Sequence, residues 1–270
     1  MRVALDNLKR HAALLGSYFA QYAKVRVSYR GDFFISAATS MAATIFSLGF
    51  VYVLFKKVPT LSNWRMEEVI FLYGFSLIPF GLFNVFSLNL YEFGATYIME
   101  GKFDRVLLRP LSSLFQVVFD TFRIESLQEV VVGLVVVAWA SRRLHYHWSL
   151  LEILLLAFFA LCGGLIYISV FLLLSTFSFW FEDRIGIHPP FWNLLAFGRY
   201  PLSIYSGYIQ FLLSWIIPFG FATFYPASRL LGRPEFRFYA FLIPLVAAAT
   251  FALAVTSWRI GLRRYSSTGS

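Results

Sequence analysis

The sequence predicts an all-α polytopic membrane protein with six transmembrane helices and an N-terminal amphipathic interfacial helix. Of the 270 residues, 59% are hydrophobic and only 14% are charged, whereas about 25% of residues in a soluble domain are charged. The mean hydropathy is +0.69. Uncharged runs of 21 to 29 residues recur along the chain, and a helix of about 20 apolar residues crosses a bilayer. The composition therefore excludes an ordinary soluble domain.

Five uncharged runs are long enough to cross a membrane without interruption. They are Phe33–Phe55, Val69–Tyr91, Ile153–Phe181, Tyr200–Ser228 and Phe238–Trp258. Because backbone polar groups in the hydrocarbon core must be bonded within the protein, we predict a helix for each run.

A sixth span is shorter and carries charges. Its uncharged part, Val130–Ser141, has only 12 residues, so a span of about 20 residues must extend back to Asp120. The first half of that helix would contain Asp120, Arg123, Glu125 and Glu129. Gln116, Asp120 and Arg123 would then share one helix face.

Charged side chains inside a membrane are costly and usually face water, protein or one another. The candidates for a translocation path or a subunit seam are therefore Gln116, Asp120, Arg123 and Glu129. The alternative is that these residues lie at headgroup depth and that the helix enters the membrane late.

The basic residues orient the spans. The net charge is +9, and cations that flank membrane spans explain it without a nucleic-acid partner. With the N-terminus inside, 14 Lys and Arg residues lie on the inner side and 8 on the outer side, if the loop 182–199 is inside. This bias predicts that both termini are cytoplasmic. We expect the chain to lie as a multi-pass protein in the cell (inner) membrane of a prokaryote. The domains would be a cytoplasmic or interfacial amphipathic segment, 1–31, the six-helix transmembrane domain, 32–258, and a cytoplasmic tail, 259–270.

The N-terminal segment alternates cations with apolar residues. Apolar side chains recur at spacings of three, four and seven, at Leu8, Leu15, Tyr18, Phe19 and Tyr22. This pattern is typical of an amphipathic helix lying in the headgroup layer. A solvated helical tail is the alternative.

A short mixed-charge segment, EGKFDRVLLRPLS, interrupts the apolar chain at residues 100–112. Gly101 can break the incoming helix, and Pro110 keeps Arg109 out of helical geometry. We therefore predict a short cytoplasmic helix between the second and third spans. A solvated turn is the alternative.

Proline breaks the fifth uncharged run near its outer end. Pro218 interrupts the run and Pro226 follows Tyr225. This pattern favours a kink or a re-entrant pair of half-helices buried in protein.

No arrangement of residues predicts catalysis or a metal site in this chain. The phosphate-binding loop is absent, and His145 and His147 lack further ligands at a suitable spacing. Two rival functions remain open. Glu182, Asp183 and His188 could serve a lipid-modifying membrane enzyme, and an ion-coupled carrier would depend on Asp120 or Glu129.

Two segments carry a resemblance to a known family. The stretch GKFDRVLLRP after the second span and WIIPFGFATFYPASRLLG before the last span resemble the ABC-2-type permeases, the membrane subunits of ABC exporters. The resemblance implies a chain without its own ATPase. It implies two copies of a cytoplasmic ABC ATPase subunit, which binds ATP and magnesium, and a second permease, identical or related.

The resemblance also implies residue roles. Lys102–Leu108 looks like the family's coupling helix, and the ATPase-coupling residues would be Gly101, Lys102, Phe103, Asp104, Arg105, Leu107 and Arg109. The charged members could make charge-assisted contacts in a cleft of the ATPase, with Phe103 and Leu107 as anchors. Tyr225–Gly232 would belong to the outer half-helices that close the exit, with the outer gate at Pro218, Tyr225 and Pro226.

Overall fold

The computed structural model describes residues 30–181 and 188–266, and within these ranges the chain is helical, without a β-strand. The prediction of an all-α protein is confirmed for this part of the chain. Of the predicted amphipathic segment, 1–31, residues 1–29 lie outside the described part of the chain. Glu182 and Asp183 also lie outside it.

The described ranges contain a few long helices that are connected by several short ones. In chain order they are α1 (Arg30–Lys57), α2 (Met66–Ser87), α3 (Lys102–Leu107), α4 (Ser113–Val118), α5 (Leu127–Arg143), α6 (Leu150–Thr176), α7 (Ser178–Phe181), α8 (His188–Leu194), α9 (Gly207–Phe211), α10 (Phe219–Ala222), α11 (Phe224–Leu230) and α12 (Arg237–Leu262). The 3₁₀ turns are Leu88–Leu90, Ile124–Ser126, Leu195–Arg199, Leu202–Ile204 and Pro234–Phe236, and the π-helical turns are Gly94–Met99 and Leu212–Ile216.

The long helices make the chain a multi-pass membrane protein. In the described part, five are long and apolar enough to cross a bilayer: Ile35–Lys57, Met66–Ser87, Ile124–Arg143, Leu150–Phe181 and Pro234–Leu262. A further pair, Gly207–Ile216 and Phe219–Leu230, is bent by 72°. The predicted break at Pro218 is therefore confirmed.

Helix α2 is the centre of the bundle and packs between α5 and α6. Glycines bring α5 close to it: a Cβ added to Gly133 would lie 2.7 Å from the Gly74 carbonyl oxygen. Small residues at such a crossing let two membrane helices pack backbone to backbone. Helix α1 lies at the edge of the bundle instead, and only 11% of its apolar stretch is buried.

The bundle has two ends, which we name after their residues. At the α3 end, the ends of α7 and α12 meet α3, and the ring of Phe103 lies 5.4 Å from Phe179 and 6.0 Å from Trp258. At the Trp64 end, the residues before α2 and before α12 meet, and the ring of Trp64 lies 6.5 Å from that of Phe236.

The third span starts later than predicted. Helix α4 ends at Val118, and α5 begins at Leu127 after one 3₁₀ turn. Asp120 and Arg123 lie in the irregular segment between them, so the prediction of a helix reaching back to Asp120 is wrong, and Gln116 shares no helix face with them. The chain turns here because the Arg123 backbone N–H donates to the Val85 carbonyl at 3.1 Å instead of to a helical partner.

Residues 188–204 run along α2 from one end of the bundle to the other. At the α3 end, His188 Nε2 is 3.5 Å from Ser175 Oγ in the last turn of α6. At the Trp64 end, Trp64 Nε1 donates to Ser203 Oγ at 2.9 Å. The segment between these contacts therefore covers the length of α2.

This course corrects two expectations. Residues 188–199 do not form a loop confined to one end, and the expected fifth span Tyr200–Ser228 is divided into several short helices. Residues 188–204 combine three prolines and two 3₁₀ turns with the charge of Arg199. Because Arg199 interrupts it, no long uncharged run marks this segment in the sequence.

Candidate functional site

The mixed-charge segment folds into a short helix between two breaks, as predicted. Gly101 has a φ of +70°, in the left-handed region that favours glycine. Helix α3 follows at Lys102–Leu107 and is closed by Leu108, two residues before Pro110. Its bounds agree with the predicted Lys102–Leu108 to within one residue.

An aromatic cage holds α3 against the bundle. Phe103 is completely buried, and its ring lies 5.0 to 6.0 Å from the rings of Phe93, Phe179, Trp258 and Tyr265. Such edge-on pairs each add about 0.5–1.5 kcal/mol beyond burial. Phe103 is therefore enclosed by its own chain, and its predicted part in ATPase coupling stays a prediction.

The C-terminal tail fastens the next residue of α3. The hydroxyl of Tyr265 donates to Asp104 Oδ1 at 2.9 Å. Burial and this carboxylate, which resists a second negative charge beside it, raise the pKa of Tyr265 to about 12. Asp104 therefore faces inward, toward the tail.

Gln116 supports α3 from the other side. Its Nε2 donates to the carbonyls of Val106 at 3.0 Å and Leu111 at 3.1 Å. The Val106 carbonyl at the end of α3 thus accepts from Gln116 as well as from the Arg109 backbone N–H at 3.4 Å. Trp258 Nε1 donates to Ser113 Oγ at 3.3 Å and ties α4 to the end of α12.

The outer face of α3 is exposed and both cationic and apolar. Leu108 is 86% exposed and Leu107 44% exposed, and Arg105 and Arg109 are exposed beside them. Lys102 Nζ lies 2.9 Å from Glu100 Oε2 at the start of the helix. Exposed leucines beside cations are costly to leave in water, so the ATPase-coupling role predicted for this surface stays a prediction.

Two of the predicted path residues line a polar cleft beside α3. The cleft has a volume of about 270 Å³, and Asp120 and Arg123 face it together with Glu92 and Lys102. The hydroxyl of Tyr97 lies 2.6 Å from Asp120 Oδ2. The cleft thus contains two acidic side chains, Glu92 and Asp120, and two basic side chains, Lys102 and Arg123, at the α3 end.

Glu129 is separate from this cleft. It lies in the first turn of α5, where Asn84 Nδ2 donates to Oε2 at 2.9 Å and Ser40 Oγ donates to Oε1 at 3.4 Å. The carboxylate therefore joins α1, α2 and α5. The roles predicted for the four path residues stay predictions, divided over three surroundings.

The residues of the predicted outer gate lie at the Trp64 end. Pro218 separates the two arms of the bent pair. Tyr225 stacks on Tyr239 with ring centroids 4.4 Å apart, and its hydroxyl is 2.8 Å from Ser214 Oγ. Pro226 is buried within α11. The two arms are thus bonded to each other and to α12.

Sequence reasoning missed Arg199. Its Cζ lies 5.3 Å from the ring centroid of Phe80 and 5.9 Å from that of Tyr73. Both rings belong to the middle of α2, so the guanidinium lies at mid-depth in the bundle. One signal could have found it: Arg199 is the only residue among Asp, Glu, Lys and Arg between positions 185 and 228.

Comparison with known proteins gives one match. The model of a family described as "ABC-2 family transporter protein" matches residues 40–269. No curated protein and no solved structure matches the chain. The matched range includes α3, the bent pair and Arg199.

Proposed function

The chain belongs to the ABC-2 family of transporter proteins, and from that premise we propose that it is the permease subunit of an ATP-driven exporter. It forms the translocation path with a second permease, identical or related. Its energy comes from two copies of a separate cytoplasmic ATPase, which bind ATP and magnesium.

The α3 end carries this proposal. A helix that transmits force must be rigid toward its own bundle and accessible to its partner. Phe103 and Asp104 face the cage and the tail, whereas Arg105, Leu108 and Arg109 point outward. A push on the outer face reaches α7 and α12 through the cage as a rigid-body displacement.

We infer six crossings, with residues 188–204 as the fifth. The bent pair then dips into the membrane from the outer side, because both of its ends lie near the Trp64 end. Moving Arg199 from the inner loop to mid-depth leaves 13 inner cations against 8 outer ones, which still favours cytoplasmic termini in a prokaryotic inner membrane.

The bent pair suits an outer gate. Each arm is too short to cross a bilayer alone, and α11 is almost wholly buried. Tyr225 bonds to Ser214 on the facing arm. Tyr225 also stacks on Tyr239 of α12, so a rotation of α12 would pull Tyr225 away from Ser214 and open the exit.

The test is energy coupling in the assembled complex. The paired substitution Arg105→Glu and Arg109→Glu should leave the chain inserted but abolish co-purification of the ATPase, because it reverses the charge of the docking face. The matched control is the paired substitution Lys56→Glu and Lys57→Glu. These two exposed cations lie at the C-terminal end of α1, so this variant should retain the ATPase.

Two results would contradict the proposal. Retention of a fully coupled ATPase by the Arg105 and Arg109 pair would remove α3 as the docking element. Transport or lipid modification by the purified chain alone would favour the ion-coupled carrier or the membrane enzyme.

A further inference from the structure

We propose that Arg199 binds the anionic group of an amphiphilic cargo at mid-depth in the transport path. The ligand class is a phosphate or carboxylate headgroup attached to an apolar body. The inference rests on the proposed function, because it assumes that the transport path runs along the side of α2 where Arg199 lies.

The first argument is the cost of the charge. A charged side chain at the bilayer centre is costly to bury in lipid. Arg199 is only half-buried, on a face beside exposed Asn193 and Ala196. Since lipid could not solvate a guanidinium there, this face must meet water, a cargo or another subunit.

The second argument is the donor inventory. A guanidinium has five N–H donors and no acceptor. Among the described residues, Arg199 has neither an ion pair nor a side-chain hydrogen bond, and the rings of Tyr73 and Phe80 lie beside its guanidinium. Ring faces attract a desolvated cation, but they accept none of its N–H donors as a carboxylate or phosphate oxygen would.

The third argument is that the chain holds Arg199 in place. Thr223 Oγ1 donates to the Gly198 carbonyl at 2.7 Å, and the hydroxyl of Tyr205 donates to the Phe197 carbonyl at 3.3 Å. The two carbonyls that precede Arg199 are thus fixed by hydroxyls from beyond the segment. A group positioned in this way is preorganised for a ligand.

The surroundings favour an anion with an apolar body. Phe80 packs on Trp192 with centroids 5.7 Å apart, so the cation projects from an aromatic wall. Glu129 is close enough for electrostatic attraction to Arg199. An arriving anion must compete with this carboxylate whenever Glu129 is ionised.

The experiment is a titration of the full chain in nanodiscs of phosphatidylcholine, followed by calorimetry against empty nanodiscs. The probe is dodecyl phosphate. Dodecyltrimethylammonium tests the sign of the charge, and inorganic phosphate tests whether an apolar body is needed. We expect binding of dodecyl phosphate alone.

The variants separate the site from the rest of the chain. Arg199→Gln should weaken dodecyl phosphate binding about tenfold, as loss of charge-assisted hydrogen bonds does. Arg143→Gln is the matched control, because Arg143 also lies over a ring, that of Trp139 at 5.5 Å; its affinity should equal that of the wild type. Glu129→Gln should bind about threefold more tightly, since a competing charge is gone.

Several outcomes would overturn the inference. These are equal affinity of wild type and Arg199→Gln, equal binding of the cationic amphiphile, and displacement of the probe by inorganic phosphate at a similar concentration. If Arg199→Gln does not insert into the membrane, Glu129→Gln provides the test instead. An affinity of Glu129→Gln for dodecyl phosphate that equals or falls below that of the wild type would then overturn the inference. No ATPase is present, so failure here leaves the docking of α3 unaffected, and loss of docking leaves this titration unaffected.

Discussion

At the Trp64 end of the bundle, Arg233 lies 4.5 Å from the ring of Trp64 and donates to Glu68 Oε2 and the Asn63 carbonyl, each at 2.8 Å. At the α3 end, a comparable set of rings encloses Phe103, yet Arg105 and Arg109 point away from the bundle. Arg233 is thus bonded within the chain, whereas Arg105 and Arg109 are exposed.

The difference shows two ways in which an aromatic cluster is combined with cations. Both clusters pack the chain firmly at their end of the bundle. Arg233 is paired with Glu68 inside the chain. Arg105 and Arg109 are exposed beside Leu108, on the surface that we propose for the ATPase.

The largest expected effect tests the two aromatic clusters. Phe103→Ala and Phe224→Ala each remove a fully enclosed ring and should each lower the free energy of unfolding by about 3 kcal/mol, because a cavity remains. Unfolding in mixed micelles measures this. Only Phe103→Ala should also abolish stimulation of the partner ATPase, and a similar loss with Phe224→Ala would erase the distinction between the ends.

The next effect tests the matched charge. Arg233→Gln should cost about 2 kcal/mol of unfolding free energy, because it leaves the mostly enclosed Glu68 without its cation. Arg105→Gln should change stability by less than about 0.5 kcal/mol, as exposed substitutions do. The same unfolding assay applies. Arg233→Lys serves as the control that keeps the charge and loses the planar fork, and equal costs at Arg233 and Arg105 would contradict the comparison.

The smallest effect concerns the tail at the α3 end. Tyr265→Phe should cost up to about 1 kcal/mol at pH 8, the worth of one hydrogen bond. The pKa of Tyr265 is raised to about 12 in the folded chain. Its contribution to stability is therefore complete below pH about 10, the ordinary tyrosine pKa, and is lost as the pH rises through about 12.

The measurement is the difference in tyrosinate absorbance between wild type and Tyr265→Phe. This difference should titrate near pH 12. A midpoint near the ordinary tyrosine value of about 10 would mean that the tail is not docked on Asp104.

The elements that were predicted from the sequence have strong local signals. Gly101 starts α3 and Pro218 breaks the outer pair, because both residues restrict the backbone wherever they occur. The long uncharged runs likewise mark most of the spans.

The elements that were missed depend on distant contacts. Phe103 is enclosed by Trp258 and Tyr265, more than 150 positions away, and no local pattern records this. The segment that carries Arg199 crosses the bundle as a short helix and a 3₁₀ turn, for which hydrophobic runs give no signal. The late start of α5 follows from the bond of Arg123 to Val85, another tertiary contact.

One buried hydroxyl joins two parts of the molecule. Thr223 lies between α10 and α11, in the second arm of the bent pair, and its Oγ1 is within bonding distance of both the Phe219 and Gly198 carbonyls. This hydroxyl therefore couples the bent pair to the backbone beside Arg199. If the bent pair opens the exit, as we propose, its movement should also displace Arg199 and change the affinity of that side chain for a ligand.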